Sequence, residues 1–279
     1  MMIIDPQSPA PLRSERPSLG PRRLGCINWL GLWTLTAKEV RRFLKVYFQT
    51  IVAPVVTTLM FLAIFVLAIG RASVDVGGVP FPQFLAPGLV MMAMTQNAFA
   101  NTSSSLIIAK VQGNIVDVLM PPLSPLELTL AFALGGVMRG LVVGVAVALT
   151  MSFFVPLPLT HPGYIVYHAL MASLMLSLLG MIGGIWADKF DHMAAVTNFI
   201  VTPLSFLSGT FYSIDRLPEG FHLFALANPF FYMIDGFRYG FIDHADGALG
   251  TGILVVAAIN LLLGTVAYRM FRTGYKLKA

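Results

Sequence analysis

The chain has 279 residues, 57% of them hydrophobic and only 11% charged, with a net charge of +5. A soluble domain carries about 25% charged residues. This composition therefore excludes a surface solvated all round and makes lipid the solvent for much of the chain. The single cysteine, Cys26, excludes an intrachain disulfide or a cysteine metal cluster and reads as an incidental thiol.

The N-terminal segment holds Pro6, Pro9, Pro11, Pro17 and Pro21 together with Arg13, Arg16, Arg22 and Arg23. It lacks the apolar run of about 7–15 residues that a signal peptide needs. Residues 1–28 are expected to be a disordered cytoplasmic tail, with the membrane domain covering 29–279. Over 29–48, Trp29, Leu30, Trp33, Val40, Phe43 and Phe48 mix with Lys38, Arg41, Arg42 and Lys45. That mixture predicts an amphipathic helix lying in the cytoplasmic interface, with aromatic anchors and basic residues near the headgroups.

Crossing the hydrocarbon core takes about 20 apolar residues. Six stretches qualify, at 50–70, 84–108, 128–154, 164–187, 194–213 and 249–271. The fold class expected is therefore all-α integral membrane with six transmembrane helices. Lysine and arginine set the orientation. Besides those before the first span, Lys110, Lys189, Arg269, Arg272, Lys276 and Lys278 fall on one side, against Arg71, Arg216 and Arg238 on the other. Both termini of this inner-membrane chain are thus expected in the cytoplasm. The positive charge is an orientation signal and not a nucleic-acid patch.

Span two carries Asn97, Asn101 and Ser105 at four-residue spacing, hence on one face. Polar groups at this depth face protein or water. The stripe is either a path lining or subunit seam, or plain interhelical hydrogen bonding. Span three holds Gly136, Gly140 and Gly144, a doubled GxxxG, and span four holds Gly180 and Gly184; both patterns let another backbone approach closely. Between the first two glycines stands Arg139. A buried arginine costs at least about 2.5–3.5 kcal/mol on insertion scales. It either holds an anionic group of a substrate or lipid, or bonds to neighbouring carbonyls and to the polar face of span two.

After Lys110 a short helix-capable stretch leads to Pro121-Pro122 and then to Ser124-Pro125-Leu126-Glu127. Ser124 and Glu127 form a capping box with Pro125 in the first turn. A short cytoplasmic helix before a sharply defined helix start suggests a knob that docks a partner. The external loop 214–248 is rich in phenylalanine and tyrosine, too aromatic to be solvated throughout. It is expected to return into the outer half of the bilayer as a re-entrant helical hairpin, with Asp235 and Arg238 able to pair three residues apart.

No lysine precedes Ser or Thr, so a Walker A loop is absent. The five histidines are scattered and no HExxH occurs. Acidic residues are nearly missing from the spans, which leaves few candidates for an ion relay. An ion-coupled secondary transporter and a membrane-embedded lipid-modifying enzyme are therefore the weaker alternatives.

The segment from Pro203 to Phe241 carries Ser208-Gly209, Phe211-Tyr212, Leu217-Pro218, Asn228-Pro229 and Arg238-Tyr239-Gly240 in order. With FLAPGLVMM at span two and NIVDVLMPPLSPLEL after it, the chain resembles the ABC-2 permease family over about 29–275, and within it the YadH-like branch. The resemblance implies a transport subunit that is not itself an enzyme and binds no cofactor or metal. Two copies would pair with two copies of a separate ABC ATPase, which holds ATP and Mg. Gln112, Asn114, Ile115, Asp117, Val118 and Leu119 would then form the coupling helix. Asn97, Asn101, Ser105 and Arg139 are candidates for the path or dimer seam, and Tyr212, Pro229, Asp235 and Arg238 for the re-entrant segment. Cargo of such permeases is a glycan, a lipid-linked or an amphipathic molecule.

Overall fold

The structure, a computed structural model, describes residues 25, 27–69, 75–76, 78–214 and 224–277. Residues 1–24 and 26 of the expected tail, Arg71, Lys278, and the part of the external loop with Arg216 and Leu217-Pro218 lie outside the described residues; Asn28, expected in the tail, is described as the cap of α1.

The first helix, α1 (Trp29–Leu44), starts on Asn28, whose side chain accepts from the Gly31 N–H. Its inner face buries Leu35, Thr36, Glu39 and Phe43, while Trp29, Trp33, Lys38 and Arg41 stay outside. A π-helical turn, Phe48–Val52, leads directly into α2 (Ala53–Ile69). A two-stranded hairpin, β1 (Asp75–Val76) with β2 (Val79–Pro80), is a small departure from the all-α expectation.

Next come α3 (Phe81–Val111), α4 (Ile115–Leu119), α5 (Pro125–Met151) and α6 (Pro162–Trp186). The predicted capping box forms in full: Glu127 N–H donates to Ser124 Oγ, Ser124 N–H donates to Glu127 Oε2, and Pro125 occupies the first turn. The chain continues through α7 (Phe190–Val196), a second π-helical turn (Thr197–Val201), α8 (Thr202–Phe206), α9 (Pro229–Ile242) and α10 (Leu249–Thr273).

Four of these helices are long and apolar enough to cross a membrane: Phe48–Leu67, Pro125–Met151, Pro162–Trp186 and Leu249–Thr273. The other two expected spans differ for identifiable reasons. At 31 residues α3 is long enough, but its asparagines and serines make it less apolar. The fifth, expected over 194–213, runs as one unbroken helical path from Phe190 to Phe206, about 26 Å at 1.5 Å per residue and short of the roughly 30 Å core. It ends early because Gly209 turns the chain at φ 74°. Thr210 Oγ1 donates to the Ser205 carbonyl that the turn leaves open.

The core forms around α3, which packs along α5 and α6 with α9 against its first half. The glycines make this possible. A Cβ on Gly140 would lie 2.8 Å from Ser173 Oγ and 3.1 Å from the Met94 carbonyl oxygen; on Gly180 it would lie 2.5 Å from Thr102 Oγ1. Both patterns therefore serve packing, the first between α5 and its neighbours α3 and α6, the second between α6 and α3. By contrast α2 and α10 leave most of their apolar surface open, as helices facing lipid or a second copy do.

Replacing Gly180 by Leu is expected to destabilise the protein by about 1–3 kcal/mol through overpacking. The measurement is thermal unfolding of the purified protein in mild detergent. Gly250→Ala, at a position with open space around it, should leave the transition unchanged.

Candidate translocation and coupling sites

The polar stripe of α3 meets charged side chains from two other helices. Glu39 on α1 is fully buried, takes a hydrogen bond from Ser105 Oγ at 2.8 Å and pairs with Arg42 at 3.0 Å. Arg42 in turn donates through Nη2 to the backbone carbonyl of Asn101 at 2.7 Å and to its side-chain oxygen at 3.0 Å, and through Nη1 to Ser104 Oγ. On the α5 side, Arg139 donates through Nη2 to Asn97 Oδ1 at 3.0 Å and through Nε to the same oxygen at 3.3 Å. All four predicted residues, Asn97, Asn101, Ser105 and Arg139, thus belong to one seam joining α1, α3 and α5. Arg139 takes the structural alternative, bonding to the polar face of span two. Asn101 and Ser105 are turned to α1, where they meet Arg42 and Glu39.

Reading of the sequence missed Glu39. The available signal was that it is the only acidic residue between 29 and 48, on the otherwise apolar inner face of an amphipathic helix. Arg42 is three residues along the same helix, but Ser105 is 66 positions away, which no local pattern reveals.

Two clefts flank the outer side of α3 and share Gln96 and Asn97. One, of about 400 Å³, lies toward α7 and the second π-helical turn, with Ser103, Ser104, Phe190, Met193 and Thr197 on its walls. The other, of about 270 Å³, lies toward α2 and the first π-helical turn, with Gln49, Thr57, Thr58 and Phe61. Among the described residues, their linings carry amides, hydroxyls and apolar groups, and no charged side chain. Single π-helical turns within α-helices are frequent at functional sites, and here one borders each cleft.

The predicted short helix after α3 is α4. Val116 is 54% and Met120 76% exposed, and Gln112, Asn114 and Asp117 are also exposed. Ile115 and Val118, expected to belong to the docking surface, are instead buried beneath it with Leu35, Leu128 and Phe132. On a single turn of helix only one side can face outward, and the apolar pair takes the core. The loop is fastened to α1: Glu127 accepts from the Asn28 N–H, and Asn28 Nδ2 donates to the Pro122 carbonyl at 3.2 Å. A Cβ on Gly31 would lie 2.6 Å from Leu123.

On its other side the loop borders a cation–carboxylate cluster. Lys110 Nζ donates to the carbonyls of Ile185 and Ala187 at 2.8 and 2.6 Å, and lies 3.5 Å from Asp188. Lys276 Nζ donates to the Trp186 carbonyl and to Asp188 Oδ2 at 2.7 Å. The hydrogen bond from Lys276, with the charges of both lysines, holds the Asp188 carboxyl below its ordinary value, and the same bond raises Lys276. The pair is therefore fully charged near neutrality. Because Asp188 is depressed, whatever the pair contributes is present at neutral pH and lost only as pH falls through its lowered pKa.

At the opposite end, Asp235 and Arg238 do not pair with each other as expected. Asp235 accepts from the backbone N–H groups of Asp246 at 2.8 Å and Gly247 at 3.0 Å. Fully buried Arg238 donates to the carbonyls of Phe84 at 3.2 Å and Gly209 at 2.6 Å, with its guanidinium 3.8 Å above the Phe84 ring. Backbone groups brought in by the tertiary fold outcompete the local i, i+3 contact. Asp246 ties this knot to Ile214, whose N–H it accepts at 3.1 Å. Pro229 opens α9 behind the Asn228 cap, and half-buried Tyr212 follows the Gly209 turn. At 14 residues, about 21 Å, α9 is too short to cross a bilayer. It falls within the stretch expected to form the re-entrant hairpin, of which residues 215–223 lie outside the described residues.

A bundle of apolar helices with an internally paired polar seam and clefts beside its central helix is the architecture of a polytopic membrane protein. Residues 31–242 match the model of the ABC-2 type transporter family, and the chain belongs to that family. It is 36% identical over 255 residues to the inner membrane transport permease YadH of Escherichia coli strain K12, covering 91% of this chain and 99% of the relative. It is 23% identical over 256 residues to nodulation protein J of Rhizobium leguminosarum bv. viciae, covering 88% and 95%. The expected family and branch are thereby borne out, and the chain is a transmembrane transport subunit.

Glu39→Ala is expected to lower stability by about 1–3 kcal/mol, since it leaves Ser105 and Arg42 short of a partner. A thermal-melt double-mutant cycle with Ser105→Ala checks this: the two losses should be less than additive.

Proposed function

We propose that the chain is the membrane half of an ATP-driven exporter. Two copies associate with two copies of a separate ABC ATPase, which binds ATP and Mg. Hydrolysis in that partner acts on the loop carrying Gln112, Asn114, Asp117 and Leu119, and the permease moves a glycan, a lipid-linked or an amphipathic cargo out of the cytoplasm. In this reading the chain crosses the inner membrane six times, through α2, α3, α5, α6, the α7–α8 path and α10, with both termini cytoplasmic.

The observation that carries the reading is α4. A five-residue helix sits at the tip of the longest helix of the fold. It presents Val116, Asp117 and Met120 outward while its underside is buried and its flank is fastened to α1. A loop built only to connect α3 to α5 has no need of an exposed apolar–acidic knob on a rigid base. The clefts support the association of two copies. Their linings mix amides and hydroxyls with apolar groups, and α2 and the α7–α8 path beside them expose Met60, Ile64, Phe199 and, just past its end, Leu207. A second copy would cover these apolar rims and close the clefts between the two chains.

The test is a pull-down of the tagged chain from native membranes in mild detergent, with mass spectrometry of the eluate. An ATPase with a Walker A loop should co-elute at about equal stoichiometry. Val116→Asp with Asp117→Arg should abolish co-elution while leaving insertion and thermal stability intact; Val118 is left alone because it belongs to the core. Elution of the wild-type chain alone would return the ion-coupled carrier and the lipid-modifying enzyme to consideration. Undiminished co-elution of the double variant would move the docking surface off α4.

A further inference from the structure

The cation–carboxylate cluster at the cytoplasmic end joins three pieces of chain that are far apart in sequence. Lys110 is the penultimate residue of α3, at the root of the α4 loop. Asp188 stands in the short connection between α6 and α7. Lys276 lies beyond α10, where the chain folds back through left-handed conformations at Gly274 (φ 67°) and Lys276 (φ 53°). A non-glycine residue in that region is uncommon. Here the tail is drawn back by the contacts of Lys276 with Asp188 and Trp186, and by Leu277, which is buried in the same apolar cluster as Ile115, Val118 and Ile185.

Beyond Asp188 the chain enters α7 at once, and α7 supplies Phe190 and Met193 to the wall of the larger cleft. Within a few residues, then, hydrogen bonds run from the base of the docking knob to the helix that borders the cleft. A lysine is well suited to the junction. Its three donors on a long stem reach the open carbonyls at the end of α6, and at Lys110 they hold two carbonyls and face a carboxylate together.

We propose that Lys110, Asp188 and Lys276 form a strut that carries displacement of the α4 loop to α7 and so changes the opening of the cleft between α3 and α7. These are positioning residues: they act through α7 and line no cleft themselves. The proposal rests on the exporter reading given above. It differs from a mere cap on α6 in what it predicts. A cap would stabilise the fold equally in every state, whereas a strut makes the cleft respond to the nucleotide state of the partner.

The experiment uses the full chain with its co-eluting ATPase in native membranes. The native thiol is removed by Cys26→Ser and a reporter is placed at the cleft by Thr197→Cys. The rate of N-ethylmaleimide labelling is read without nucleotide and with ATP plus vanadate. With the strut intact the two rates should differ several-fold. Lys110→Met and Asp188→Asn should bring their ratio close to one while ATPase co-elution and hydrolysis persist. Lys110→Arg, which keeps the charge, should retain the difference. An undiminished nucleotide response in both Lys110→Met and Asp188→Asn overturns the strut. So does a loss explained by unfolding, seen as a lowered melting temperature together with loss of co-elution in the charge-keeping variant as well. Absence of any co-eluting ATPase from the wild-type chain is a separate result, which defeats the exporter reading and the strut with it.

Discussion

The carboxylate of Glu39 is wholly removed from solvent, and the placement of α1, α3 and α5 follows from how it is accommodated. An ionised group at such a site is tolerable only when paired and hydrogen-bonded. Arg42, one turn along α1, supplies the charge, and Ser105 supplies a hydroxyl from α3. Arg42 is then directed to the backbone and side chain of Asn101, which fixes the height of α1 against α3. The approach is close enough that Gly135 of α5 has Glu39 Cβ 2.7 Å from where its own Cβ would stand. A helix that would otherwise rest on the surface by apolar contact alone is thereby keyed into the bundle. Through Asn28 and Glu127 its first turn is keyed to the α4 loop as well.

The opposite end of the bundle obeys the same constraint with different groups. At Gly209 the backbone leaves helical geometry, and in a low-dielectric setting its free carbonyl needs a donor. Arg238 is that donor, and with its second bond to the Phe84 carbonyl it closes α9 onto the start of α3. Asp235 does the reverse, accepting two N–H groups from the turn after α9. One acid and one base, three residues apart on one helix, thus satisfy two irregular stretches of backbone on two sides of it.

How far the sequence revealed this depends on the range of each interaction. Four of the six apolar runs, the capping box at Ser124–Glu127 and the glycine spacing on α5 and α6 are local patterns with structural counterparts among the described residues. The short helix before Pro121 was legible for the same reason. The residues misplaced or missed are those whose partners are remote: Glu39, whose carboxylate meets α3; Asp235 and Arg238, whose spacing suggested each other; and Lys276, whose contacts are 88 and 90 positions back. The early end of the fifth helical path was hidden because hydrophobicity continues past Gly209 into Phe211 and Tyr212 while the backbone turns.

The pairing pattern also bears on what the clefts beside α3 can hold. Arg139 was the one cation near mid-span that offered a site for an anionic group, but its guanidinium is directed to Asn97 and it is not among the residues lining either cleft. Gln96 and Asn97, shared by both clefts, contribute amides, and Thr57, Thr58, Ser103, Ser104 and Thr197 contribute hydroxyls. Such a wall exchanges hydrogen bonds with a polar ligand without a fixed charge to trap it. In the proposed exporter that is a physical advantage. Releasing a fully desolvated ion pair costs several kcal/mol more than releasing neutral hydrogen bonds, and a path must let go of its cargo at every cycle. Keeping the charged groups in the seams, where they hold helices, and out of the clefts, where cargo would pass, lets one bundle be both tightly keyed and weakly binding.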